Sequence, residues 1–87
     1  MFAYILRVEA PQTPETAEFF LRFTREPGLL NAFDLAGVDD PDESVVVAVW
    51  EDPESAHRYL DKAPLRMEVD EAFPSVTRTM YNVLSSK

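Results

Sequence analysis

The chain predicts an α+β fold of the ferredoxin-like kind, β-α-β-β-α-β, on three observations. Segments with period-two alternation take turns with segments of helical periodicity. Two of the strand-like segments are separated only by a short acidic turn, Asp39-Asp40-Pro41-Asp42-Glu43, which predicts an antiparallel hairpin. Both helical segments open on related motifs, Thr13-Pro14-Glu15-Thr16-Ala17 and, 39 residues later, Asp52-Pro53-Glu54-Ser55-Ala56. Two β-α-β halves joined in this way give a four-stranded antiparallel sheet with two main helices on one face.

Each element has a local reason. In residues 2–9, Phe2, Tyr4, Leu6 and Val8 alternate with Ala3, Ile5, Arg7 and Glu9, a strand pattern ended by Ala10-Pro11-Gln12. Thr13 caps a helix, Pro14 suits its first position, and Glu15 meets the positive end of the helix dipole. Ala17, Phe20, Leu21 and Thr24 form its inner stripe, Phe19 and Phe23 widen it, and Pro27-Gly28 stops it. A second strand is expected over Leu29 to Val38 and a third over Ser44 to Glu51, whose run Val45 to Trp50 is apolar throughout. Asp52 caps the second helix, with Ala56, Tyr59, Leu60 and Ala63 on its inner face. Pro64 breaks the path. Leu65, Val69, Ala72 and Phe73 resume it as a separate piece, and Pro74 ends that piece. Ser75 to Leu84 is the last expected strand and Ser85-Ser86-Lys87 a tail.

The length of 87 residues makes one domain, 1–87, with a core that is marginal alone. Domains of this size lean on disulfides, a metal or self-association. There is no cysteine and only one histidine, so thiol chemistry and a polyhistidine site within one chain are excluded. The net charge of −8 opposes phosphate backbones and anionic membranes, which argues against nucleic acid and membrane partners. No stretch has the ~18 apolar residues of a membrane span, and the N-terminal residues read as a strand, so a cytoplasmic location is expected.

Self-association follows from the strands. Val45, Val47 and Val49 are apolar on one face, and Val46, Ala48 and Trp50 on the other; Ile5 and Ala3 stand opposite Tyr4 and Leu6. Two helices cover one face, so the second predicts a sheet-to-sheet homodimer. The alternative is a monomer that exposes a few hydrophobic side chains.

At this point the chain resembles the antibiotic-biosynthesis-monooxygenase-like family of dimeric α+β barrels, in element order over nearly all its length. The most specific stretches are Pro27-Gly28-Leu29-Leu30 and Val47-Ala48-Val49-Trp50-Glu51-Asp52-Pro53-Glu54-Ser55-Ala56. The resemblance implies a pocket between helices and sheet in each protomer. It also implies chemistry among that of cofactor-independent oxygenases of aromatic polyketides, quinol oxygenases and haem-degrading enzymes. The haem-degrading members use a histidine late in the second helical region and an asparagine in the first strand. Here Leu65 to Phe73 has no histidine and the first strand carries Arg7, so haem breakdown is disfavoured and no cofactor is expected.

Several residues are candidates for the site. Trp50 is similar to the family's strand-end tryptophan and either lines an aromatic pocket or packs in the core. His57 is the single imidazole and the obvious general base near neutral pH, although its angle on the helix suits a face boundary or solvent. Tyr4, Tyr59 and Tyr81 can hydrogen-bond a phenolic ligand or pack with one satisfied hydroxyl. Among Arg7, Arg78, Asn31 and Asn82, Asn31 and Arg78 are the best polar candidates if they face the helices. The acids of the turn lack the spacing and glycine of a calcium loop and read as solvated.

Two functions remain. One is a cofactor-independent monooxygenase acting on a small aromatic or quinol-like substrate, with His57 and Tyr59 catalytic and Trp50, Asn31, Arg78 and Tyr81 binding. The other is a non-catalytic dimeric module that holds a small apolar ligand. RNA binding on the sheet is disfavoured, because Val45 to Trp50 has no basic residue.

Overall fold

The computed structural model describes residues 1–85. Seven elements follow one another: β1 (Phe2–Glu9), α1 (Pro14–Phe23), β2 (Leu29–Ala36), β3 (Glu43–Trp50), α2 (Pro53–Lys62), α3 (Pro64–Ala72) and β4 (Thr77–Asn82). The strands form one antiparallel sheet in the order β2-β3-β1-β4. This is the ferredoxin-like α+β architecture that the element order predicts, with the second helical region divided in two.

The helix starts behave as their residues dictate. Thr13 accepts from the Thr16 amide at 3.2 Å while the Thr16 hydroxyl accepts from the Thr13 amide at 2.8 Å, a reciprocal capping box. Asp52 caps α2 by accepting from the Ser55 amide at 2.7 Å. Ala63 closes α2 and opens α3, because Pro64 has no amide proton to continue the first ladder.

Two strands are shorter than expected. The second ends at Ala36 because the Gly37 amide donates to the Glu43 carbonyl at 2.9 Å and closes the hairpin. The last begins at Thr77, since the Val76 amide is used in a turn to the Phe73 carbonyl at 3.0 Å. Its pairing with β1 runs from Arg7↔Thr77 to Phe2↔Asn82. Of the expected tail, residues 86 and 87 lie outside the described residues.

Gly28 has φ +85°, and a Cβ there would stand 2.3 Å from the Ser55 hydroxyl oxygen. The turn into β2 therefore fits closely against the first turn of α2, and only glycine meets both demands.

The core lies between the sheet and the helices. Tyr4, Leu6 and Val8 of β1 and Ala48 and Trp50 of β3 meet Phe23 of α1, Ala56 and Tyr59 of α2, and Leu65 and Val69 of α3. The opposite face of the sheet carries Ala3, Ile5, Asn31, Phe33, Leu35, Val45, Val47, Val49, Thr79 and Tyr81, with no helix over it among the described residues.

Candidate active site between helices and sheet

A cavity of about 60 Å³ lies between the sheet and α1. Its floor is Tyr4, Leu6 and Val8 of β1 with Val46 of β3, and its roof is Phe19, Phe20 and Phe23 of α1. Val69 and Phe73 close one side, and Tyr59 stands at the Tyr4 end. These side chains hold one another edge to face. The Phe23 and Tyr59 rings are 5.1 Å apart at 69°, and the Phe19 and Phe73 rings 5.8 Å apart at 74°. Such pairs favour a fixed aromatic wall.

The ends of the cavity differ. At the Tyr4 end, Arg78 Nε donates to the Tyr4 hydroxyl at 2.8 Å. Arg78 comes from β4, on the helix side of the sheet, and Asp70 of α3 holds it: Nη1 lies 2.5 Å from Asp70 Oδ1. Asp70 Oδ1, Arg78 Nη2 and Arg66 Nε are buried with no hydrogen-bond partner among the described residues. Arg66 approaches Asp70 Oδ2 at 3.3 Å. Two guanidinium groups thus share one carboxylate at this end.

Burial raises the Tyr4 hydroxyl above its ordinary pKa of 10.0 despite the opposing pull of Arg78. Burial raises Tyr59 further, with the neighbouring Tyr4 adding to it. Both are neutral hydroxyls over the physiological range, suited to donating to an oxyanion and not to accepting a proton.

At the other end, Gln12, Thr16, Asp34 and Ser44 complete the lining. Gln12 Nε2 donates to Asp34 Oδ1 at 3.1 Å and to the Ser44 hydroxyl at 3.0 Å, and Ser44 donates to the Ala10 carbonyl at 2.7 Å. Gln12 Oε1 accepts from the Thr16 hydroxyl at 3.1 Å. Burial raises the Asp34 carboxyl above its ordinary 3.8, partly offset by the bond from Gln12.

The structure separates the residues singled out from sequence. Tyr59 lines the cavity, and Arg78 reaches it through the Tyr4 hydroxyl. Trp50 is 1% exposed and packs behind Tyr59 at 5.8 Å, outside the cavity lining. Asn31 and Tyr81 pair with Val49 and Ala3 and so sit on the opposite face of the sheet. His57 is exposed, one residue past buried Ala56 and so turned about 100° from it toward solvent, with its ring 6.0 Å from Phe2. The residues that the sequence did not single out are Gln12, Asp34 and Asp70. Asp34 had one available signal: it alternates with Phe33 and Leu35, so a polar residue falls on the face the helices cover.

Among the described residues no group of three or more His, Cys, Asp or Glu side chains is placed to hold a metal ion, and no helix is long and apolar enough to cross a membrane.

No family model and no curated protein matches the sequence. Solved structures do match in shape. SnoaB from Streptomyces nogalater, a cofactor-independent oxygenase, is 21% identical with a TM-score of 0.77, covering 98% of this chain and 94% of SnoaB. A candidate antibiotic biosynthesis monooxygenase from Deinococcus radiodurans is 12% identical with a TM-score of 0.75, covering 100% and 96%. Another from Nitrosomonas europaea is 19% identical with a TM-score of 0.65, covering 98% and 100%. At these identities the likeness establishes the fold: the chain has the architecture of antibiotic biosynthesis monooxygenase structures.

Proposed function

We propose that this protein is a cofactor-independent monooxygenase for a small aromatic or quinol-like substrate, bound in the helix-side cavity. The observation that carries this is the aromatic-walled cavity, with neutral hydroxyls at one end and a carboxylate at the other. A fold shared with a cofactor-independent oxygenase supports it by analogy.

In this chemistry the substrate supplies the electrons. An anthrone-type substrate loses a proton to give a delocalised carbanion, and this reduces O2 and combines with it to form a peroxide. Loss of water leaves a carbonyl. In sum, a CH2 group and O2 become C=O and H2O. Among the described residues Asp34 is the one carboxylate lining the cavity, and its raised pKa makes it the best-placed base. Tyr4, tethered by Arg78, and Tyr59 are the donors for the developing oxyanion. The phenylalanine roof keeps water from the reactive anion.

An oxygen electrode with anthrone, without added metal or flavin, tests this reading. One O2 consumed per anthrone, faster than autoxidation and abolished in Tyr59→Phe that remains folded, is the expected result. Uptake at the autoxidation rate for both anthrone and a naphthohydroquinone overturns it.

One observation favours a second reading, a binding module without turnover. The cavity of about 60 Å³ is well below the ~150 Å³ of an apolar cavity that accommodates benzene. A small ligand fits only if part of the lining yields.

The same proposal includes a homodimer. The face bearing Ile5, Phe33, Leu35, Val47 and Tyr81 has no cover among the described residues, and a second copy brings an identical apolar face to it. Sedimentation at micromolar concentration should give twice the chain mass; a lone chain there rejects the dimer.

A further inference from the structure

At the polar end of the cavity, one lining side chain comes from a loop. Gln12 lies between β1 and α1, outside any regular element, and its amide spans the space between β2 and β3 by donating to Asp34 and to Ser44. Apart from Gln12, Asp34, Ser44 and the capping Thr16, the lining is aromatic and aliphatic side chains on helices and strands, with Phe73 at the end of α3. Since the cavity as it stands is too small for a benzene ring, a ring that enters it must displace part of the lining. Gln12 is the cheapest group to move: it is exposed, and its swing needs no helix or strand to shift.

We infer that Gln12 is a latch displaced by the ligand, and that the oxygens it releases on Asp34 and Ser44 select a neutral aromatic bearing a hydrogen-bond donor, a phenol or quinol hydroxyl. Both oxygens act as acceptors toward Gln12. A ligand that takes its place must therefore donate. An anionic ligand group is disfavoured there by the Asp34 carboxylate. The desolvation that raises Asp34 adds to this, because a carboxylate short of water gains more from a donor. The inference rests on the proposed function only in taking this cavity as the ligand site; it does not require turnover.

Phenol and toluene are nearly the same shape and differ in the donor, so they are the probes. Titrations followed by amide chemical shifts should show phenol binding about fivefold tighter than toluene, with shifts centred on residues 10–16, 34 and 44. Gln12→Ala should tighten phenol about threefold, since the ligand no longer competes with an internal donor. Asp34→Asn, which keeps an acceptor oxygen but loses the charge, should reduce the advantage of phenol over toluene and leave toluene unchanged. Equal binding of the two probes overturns the inference, as does weaker phenol binding in Gln12→Ala, which would make Gln12 a ligand contact. So do shifts centred on a second, separate crevice lined by Glu26, Arg58 and Lys62, or no binding by wild type and Gln12→Ala up to the solubility of the probes. A protein that passes these tests yet consumes no oxygen with anthrone is a binding module with a latch. One that oxidises anthrone without the phenol preference is an oxygenase without it.

Discussion

The two faces of the sheet meet opposite conditions, most sharply between the helix side of the central strands and the open side of the edge strands. Toward the helices, Tyr4, Ala48 and Trp50 are at most 1% exposed; on the other side Phe33 and Tyr81 are 56% and 52% exposed. Both sets are apolar or aromatic. Burial here depends on what covers a face and not on what the face is made of. The helix side is also where polar groups are placed with care: Arg78 on Tyr4, and Gln12 between Asp34 and Ser44. The open face carries its charge at one end, in the exposed pair of Arg7 and Glu43 at 3.1 Å.

The largest break in this comparison should come from Trp50→Ala. Removing a side chain held by Phe23 and Tyr59 at 5.9 and 5.8 Å should cost about 4 kcal/mol in urea unfolding. Phe33→Ala should cost under about 1 kcal/mol for the dilute single chain. Equal losses would mean that the open face is already covered at the concentration used. Gly28→Ala comes next, at about 2 kcal/mol, because it meets both a positive φ and the Ser55 hydroxyl. Arg78→Met should cost a similar or slightly smaller amount, about 1–2 kcal/mol, by stranding the Tyr4 hydroxyl and half-buried Asp70.

The proposed association would sharpen the contrast without changing the helix-side core. Phe33→Ser should lower the dimer fraction at micromolar concentration and remove any dependence of Tm on concentration. Wild type should gain Tm as its concentration rises. Tyr59→Phe, on the helix side, should leave that dependence as it is. A loss of concentration dependence in Tyr59→Phe would couple the two faces.

Much of the fold was legible because its signals are local. Thr13-Pro14 and Asp52-Pro53 start helices by capping and by the fixed φ of proline, whatever surrounds them. The two-sided apolar run of Val45 to Trp50 marked a central strand, which it is. The site was less legible because it depends on which face a strand residue takes, and register decides that. Asn31 and Asp34 are three residues apart on one strand, yet register sends Asn31 to the open face and Asp34 to the cavity. Arg78 reaches the cavity only because its pairing with Leu6 turns it inward beside Tyr4. Gln12 gave no sequence signal at all: it sits in a loop, and its two acceptors are 22 and 32 residues away.

The smallest expected effect separates two aspartates by sign. Asp52 is held below its ordinary 3.8, first by the backbone hydrogen bond from Ser55. Its contribution is therefore present above that value and lost as pH falls through the lower pKa of the folded state. Asp34 is raised by burial at the mouth of the cavity, so the folded state holds its proton more tightly than the unfolded chain. Its charged form opposes folding, and the stability tied to its protonation is lost as pH rises from about 4 through the raised pKa. Asp34→Asn keeps an oxygen for Gln12 and removes the charge. Its urea midpoint should lie slightly above wild type at pH 7 and converge with it near pH 3. Asp52→Asn should instead fall below wild type at pH 7 and flatten the loss of stability in acid. If Asp34→Asn is the less stable protein at pH 7, the carboxylate is not short of solvation there. The polar end of the cavity then resembles the open face more than the buried one.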